Sequence, residues 1–357
     1  MPASGPLQPR TARRCPPPNQ RHVLAAAATG FRDFVGRHGG DADQVFCSVG
    51  VEEKELQNLT LALDLGAYVA MMELAAHQTG NENFGLWYGQ QFQPEMLGLI
   101  GGIAIASPNL RSALTNLAAL FPYHQQATDV RFSTDGELMR LHYRIIDGGI
   151  VERRQDAELT LGMFINVFRH CLGAQWRPEE IHCEHPKPDG WREHEQAFAA
   201  PVYFGQRTNA IIFRGGDLEH RMPNGNLLRL AELRDRLIQV GAGTGVVSLL
   251  DQVKGEIRSR LPDGPITIEV IAAALVIPRW TLQRRLADYG LSFSDLVDLV
   301  RRDLAACYIG RSSVTVAEIA DILGFSELSA LSRAFRRWFG VSPQKFRRKS
   351  AARETYR

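Results

Sequence analysis

The chain has 357 residues, 45% of them hydrophobic and 22% charged, which is the composition of a globular protein with room for two or three domains and excludes a small stapled scaffold. No apolar run approaches the roughly 20 residues of a membrane helix, and Val23 to Ala28 is shorter than a secretory signal core of about 7–15 residues, so a cytoplasmic protein without membrane partners is expected. The five scattered cysteines (Cys15, Cys47, Cys171, Cys183, Cys307) fit a reducing compartment better than a disulfide framework. A net charge of +2 hides an asymmetry: residues 241–357 hold 18 basic against 12 acidic residues, whereas residues 1–240 hold 23 against 27. From Ser326 onward nine basic residues face Glu327 and Glu354, the footprint of a polyanion-binding segment with nucleic acid as the first candidate and a solvated basic tail as the bland alternative.

In chain order, residues 1–21 are proline-rich, with the run Pro16-Pro17-Pro18, and read as a disordered leader. From His22 to Ala119 the apolar spacing is mostly helical, as in Leu59, Leu63, Ala67, Val69, Ala70, Met71 and Leu74, or Leu110, Leu114, Leu117 and Leu120. The period then changes to alternation. Val130 to Ser133 and Leu138 to Ile145, separated by Thr134-Asp135-Gly136-Glu137, predict a hairpin. A helix over Asp156 to Leu172 follows, then a strand at Glu180 to Glu184, a short helix from Trp191 to Phe198, and strands at Val202 to Phe204 and Asn209 to Phe213. Together these predict one α+β domain over 22–223.

Within that domain Phe121, Tyr123, His124, Arg140, His142, Tyr143, Asn166 and Arg169 combine aromatic and polar groups near the hairpin and its covering helix, and form the candidate ligand-binding set; taken singly, each is as well explained as a core or surface residue. His182-Cys183-Glu184-His185, near His170-Cys171, carries metal-ligand chemistry without closed spacing, and neighbours on a strand point to opposite faces, so no metal is assigned. No nucleophile elbow, phosphate loop or HExxH motif is present, and no enzymatic activity or cofactor is expected. A metal- or redox-sensing module, or a vestigial enzyme fused to a DNA-localising segment, is the competing interpretation.

Leu230, Leu233, Leu237 and Val240 repeat at 3, 4, 3 spacing on a connecting helix within 224–245, a seam able to join two protomers or to pack on its own domain. Gly241-Ala242-Gly243-Thr244-Gly245 is the best linker in the chain and precedes a new helix over Val246 to Leu261.

The last third contains two copies of one pattern over 246–350, before a basic tail at 351–357. Ile268 to Leu275, a turn and Arg279 to Leu286 form the first; Val316 to Leu323, the turn Gly324-Phe325-Ser326-Glu327 and Leu328 to Phe335 form the second. Ile271-Ala272 match Ile319-Ala320, and Leu282 and Leu286 match Leu331 and Phe335. Each copy reads as a helix-turn-helix: Ala272 and Ala320 allow close helix crossing, Gly324 can take positive φ, and Ser326 is placed to cap the second helix. The outward faces present Arg279, Trp280, Gln283 and Arg284 in one unit and Leu328, Ser329, Ser332, Arg333 and Arg336 in the other, residue types that reach base edges or phosphates, with Arg347 and Lys349 as backbone anchors.

At Ile319-Ala320, Leu323-Gly324-Phe325-Ser326, Ser332-Arg333-Ala334-Phe335-Arg336-Arg337-Trp338-Phe339-Gly340-Val341-Ser342-Pro343 and Phe346-Arg347 the chain resembles the AraC/XylS class of bacterial transcription regulators. That resemblance implies an all-α DNA-binding domain, with two helix-turn-helix units joined by a helix from Phe293 to Ile309. Upstream, Trp176-Arg177-Pro178, His185-Pro186, Val202 to Gly205 and Asn209 to Phe213 are similar to the sensor domain of the ornithine-utilisation-regulator type, whose "arabinose-binding" label does not fix a ligand class. The resemblance implies double-stranded operator DNA, RNA polymerase and a small-molecule effector such as an amino acid or amine as partners, and a homodimer, with 22–223 as the effector-sensing and dimerisation domain. The chain departs from the family at Val276 and Pro278, where Gly and Ser are usual, which predicts a strained or differently capped first turn, and at Leu328 and Ala330, which thins hydrogen-bond readout in the second unit.

Overall fold

The computed structural model describes residues 21–241, 248–311 and 314–354. The leader expected over 1–21 lies outside the described residues except for Arg21, and the glycine linker does so except for Gly241; the tail does so from residue 355. Arg21 is anchored, its guanidinium pairing with Asp147 and Asp251 at 2.6 Å each.

The N-terminal domain is α+β, as its change of hydrophobic period requires. A five-stranded sheet runs in the spatial order Thr128–Asp135, Leu138–Ile145, Asn209–Arg214, Glu180–His182, Val202–Tyr203, antiparallel except for the last pair. The hairpin closes tightly, with Asp135 opposite Leu138 and Gly136 at φ 63° in the turn. Met139, Leu141 and Tyr143 point to the core by strand alternation. Over them lies the helix Arg154–Leu172, buried continuously from Gln155 to Phe168 because Phe84–Gln91 covers its other side. That second contact is backbone-close: a Cβ on Gly162 would sit 2.7 Å from the Gly89 carbonyl carbon. The helices Leu65–Thr79, Gly98–Ala106 and Leu110–His124 complete the layer. A second sheet of two three-residue strands, His22–Leu24 and Ala62–Asp64, falls in the stretch expected to be mostly helical; strands this short carry no detectable alternation.

The connecting helix is Leu227–Gly241, and its leucine seam is not available to a second protomer. Leu230, Leu233 and Leu237 are 8%, 7% and 0% exposed and pack on the sensor core, Leu233 lying over Gly102.

The C-terminal domain is all helix: Leu249–Arg260, Ile268–Ala274, Arg279–Asp288, Phe293–Arg311, Val316–Ile322, Leu328–Phe339 and Pro343–Glu354. Ile271, Ala272, Leu282 and Leu286 share one core with Ile319, Ala320, Leu331 and Phe335. Its first helix docks on the sensor domain, where a Cβ on Gly255 would meet the Ile146 carbonyl oxygen at 2.4 Å, so only glycine permits this approach. Arg144 to Glu256, the Gly148 N–H to the Asp251 carbonyl and Arg258 to the Val151 carbonyl fasten the same contact. Among the described residues no helix is long and apolar enough to cross a membrane.

Candidate functional site

Burial of Leu282 and Leu286 in the first unit turns Trp280 and Arg284, each two positions from Leu282, outward, with Gln283 on the flank and Arg279 exposed in the first turn of the helix. The Arg284 guanidinium lies 5.6 Å from the Trp280 ring centroid, which orients both side chains, while Arg279 pairs with Glu269 at 2.9 Å. In the second unit Leu331, Ala334 and Phe335 are buried, Leu328, Ser329, Arg333 and Arg336 are exposed, and Ser332 is half-buried. Arg333 donates to Ser329 Oγ at 3.3 Å, and Ser329 donates to Glu327 at 2.8 Å, a relay along the outer edge of the helix.

The two turns differ as their residues require. Gly324 sits at φ 68° with room for no side chain, because a Cβ would lie 2.3 Å from the Leu261 carbonyl oxygen. The first unit places Val276 at φ 55°, a left-handed conformation rare for a β-branched residue, and leaves its side chain 90% exposed. Pro278 stands at the N-cap of the following helix without a side-chain cap. In the second unit the N-cap is Glu327, not Ser326, and it too makes no side-chain cap bond, which corrects the capping role expected of Ser326. A full capping box appears one helix earlier, at Thr315 and Glu318, the Thr-x-x-Glu spacing that marks such a box.

Arg347, expected as a backbone anchor, donates through Nε and Nη2 to the carbonyls of Ile309 and Val314 at 3.2 and 2.6 Å, tying the last helix to the end of the joining helix. Arg301 carries no local sequence signal for the role it plays. It donates to the carbonyls of Leu323 and Gly324, both at 2.9 Å, and covers the Phe325 ring at 4.6 Å, so it holds the second unit's turn from the joining helix.

The candidate ligand set is dispersed, which corrects the expectation of one pocket. Phe121, His124 and Tyr143 do meet, in a packed aromatic cluster with Phe164. The Tyr143 hydroxyl donates to Asp156 at 2.5 Å and accepts from Gln125 at 2.8 Å. Burial raises the Asp156 carboxyl to about 6, opposed by the hydrogen bond from Tyr143 and a second, from Gln125 to Asp156 itself at 3.5 Å. His124, with neither ring nitrogen hydrogen-bonded, is pushed by burial to about 3. Asn166 donates to the carbonyls of Gly89 and Phe92, and Arg169 to Gln90 Oε1 at 2.9 Å, so both serve the end of the helix Phe84–Gln91. Arg140 is half-buried on the sheet face opposite Met139 and Leu141, His142 bridges Ser133 and Thr208 there, and Tyr123 packs against Gly241.

A cavity of about 310 Å³ lies elsewhere, between the two domains, and none of these residues lines it. The N-terminal domain contributes Arg153, Arg154, Glu184 and His185, and the C-terminal domain Arg258 and Tyr308. Burial pushes the Glu184 carboxyl up, but Arg153 and Arg258 override it and hold it at about 2. Beside the cavity His185, His194 and Glu158 converge from distant segments, all buried with ligand atoms within 4.8 Å of one another. They could hold a cation, although Arg154 already supplies positive charge by donating to Glu158 at 2.7 Å. His182 pairs instead with Glu180 at 3.1 Å, and Cys183 is buried apart from it.

Residues 39–222 match the family model described as the arabinose-binding domain of AraC transcription regulators, N-terminal, and residues 271–349 match a helix-turn-helix domain. The chain belongs to the AraC family of transcription regulators. It is similar to the HTH-type transcriptional regulator VirS of Mycobacterium tuberculosis, 29% identical over 311 residues that cover 84% of this chain and 87% of the relative. The ornithine utilization regulator of Pseudomonas aeruginosa is 23% identical, over 91% of this chain and 96% of its own. The crystal structure of the transcriptional regulator CdpR from Pseudomonas aeruginosa aligns with TM-score 0.41 at 20% identity, covering 88% of this chain and 98% of that one. This AraC-family regulator thus pairs a sensor-type domain with a DNA-binding domain.

Proposed function

We propose that this regulator is a ligand-responsive activator of a catabolic or metabolic operon, acting in the cytoplasm as a homodimer that contacts RNA polymerase and reads two successive major-groove segments of its operator. The observation that carries the DNA-reading part is the matched pair of second helices, each with its apolar residues in one shared core and its polar face outward. The joining helix Phe293–Arg311 has 19 residues. At 1.5 Å per residue it is about 28 Å long, and it suits two helices entering groove faces about 34 Å apart. Arg279, Trp280, Gln283 and Arg284 read one segment; Leu328, Ser329, Ser332 and Arg333 read the other, with Arg336 on phosphate. A relative named for ornithine utilization supports an amino acid, amine or similar metabolite as effector.

Footprinting of the full chain on its own upstream region tests this. Each protomer protects close to two turns of duplex asymmetrically, and added effector changes the occupancy or pattern. Protection of a single turn per protomer would overturn the two-segment reading.

A further inference from the structure

We propose that the interdomain cavity binds a small amino-carboxylate, with the ligand's carboxylate at Arg153 and Arg258 and its ammonium toward the acidic mouth, so that one molecule bridges the sensor and the reader. This rests on the reading of the chain as effector-responsive and gives that response a place. At about 310 Å³ the cavity lies at the lower end of the roughly 300–1,000 Å³ typical of small-molecule sites. Val151, Ala157 and Pro186 supply apolar wall.

Charge identifies the class of ligand. Arg153 grips Glu184 through Nε at 2.6 Å and Nη2 at 3.1 Å. Arg258 shares the same carboxylate from 3.7 Å, beyond hydrogen-bond distance, and spends Nη1 on the Val151 carbonyl. Arg154 is matched by Glu158. The floor therefore has two guanidiniums on one carboxylate, Arg153 also donating to the Ile145 carbonyl and Arg258 bonding the Tyr308 side chain, with the side chains of Arg153 and Arg258 3% and 10% exposed. A buried excess positive charge is unfavourable, and a second carboxylate neutralises it. The half-buried Glu73 and Glu152 and the exposed Glu82 and Asp189 also line the cavity and carry the opposite sign, which favours a zwitterion over a plain acid.

The position supplies coupling. Cys307 and Tyr308 belong to the helix that spaces the two reading units, while Arg153 begins the sensor's central helix as its N-cap. A ligand touching both favours the domain arrangement in which both walls are in place, which is the differential affinity that regulation requires.

Thermal melts and calorimetric titration of the full chain, with the common L-amino acids and ω-amino acids of two to six carbons as probes, test the site. At least one probe raises the melting temperature, while its amide and its decarboxylated amine do not. Arg258→Gln weakens that affinity by about tenfold or more. Cys307→Met, which narrows the cavity from a half-exposed wall position, also weakens it and guards against misreading a folding defect. Failure of every probe, equal binding of the amide, or unimpaired binding by both variants would overturn the proposal. If a probe binds with these signatures but leaves the footprint unchanged, the site stands and the effector-responsive reading falls.

Discussion

Arg144 Nη2 lies 2.5 Å from Glu256 Oε1, joining the second strand of the N-terminal domain's hairpin to the first helix of the C-terminal domain across an interface where both residues are buried. Arg144 keeps Asp129 as a second partner at 3.1 Å, and Glu256 keeps Arg260. Glu256→Gln should therefore destabilise the docked chain by about 1–3 kcal/mol rather than unfold it. A double-mutant cycle with Arg144→Met in urea denaturation checks this, and additivity of the two changes would show that the pair contributes no coupling.

The first helix-turn-helix unit holds a removable strain. Val276 at φ 55° is almost fully exposed, so Val276→Gly loses little packing and should stabilise the chain by about 1 kcal/mol. Gly324→Ala at the equivalent turn should do the reverse, and by more, because its Cβ would meet the Leu261 carbonyl. Opposite signs in paired denaturation curves are the expected outcome.

His124 gives the fold an acid-labile point. Its folded value, about 3, lies below the ordinary 6.5, so the stability it contributes is present above pH 6.5 and is lost as pH falls toward 3, where the unfolded chain takes up the proton first. His124→Leu removes this dependence. Relative to the parent chain, the variant should gain about 1.4 kcal/mol more at pH 5.5 than at pH 7.5. Parallel stability curves for the two proteins between those pH values would refute it.

Base reading and phosphate anchoring separate by experiment. Arg333→Ala should cost about 1–3 kcal/mol on the cognate site and little on random duplex, whereas Arg336→Ala or Lys349→Ala should weaken both and reduce the salt slope by about one unit. Equal losses on both duplexes for Arg333→Ala would remove it from the readers.

Leu237 packs inside its own chain, so Leu237→Ala should cost about 2–5 kcal/mol without altering the sedimentation behaviour of the remaining folded protein. A change in oligomeric state at unchanged stability would return the seam to a dimer interface.

The sequence by itself determined the elements that carry periodic burial. The hairpin around Gly136, the helix Trp191–Phe198 and the two helix-turn-helix units were legible because each buries one face of a regular element, and the apolar spacing records that face. The same logic gave the outward sets around Gln283 and Arg333, since on a helix an inward Leu282 or Leu331 fixes what points out. The strain at Val276 was likewise visible, as a residue type at odds with its turn.

Only tertiary structure decided which polar residues meet. Arg301 and Arg347 look like two more basic residues in a basic segment, yet they hold carbonyls 22 and 33 positions away. Asn166, Tyr143 and Arg169 look like pocket chemistry and instead satisfy the interior. Arg153, Glu184 and Arg258 converge across the domain boundary with no mark in their local sequence. Burial of apolar groups is periodic along an element and so is written locally. A hydrogen bond or ion pair between distant segments depends on how complete elements dock, and no local pattern encodes it.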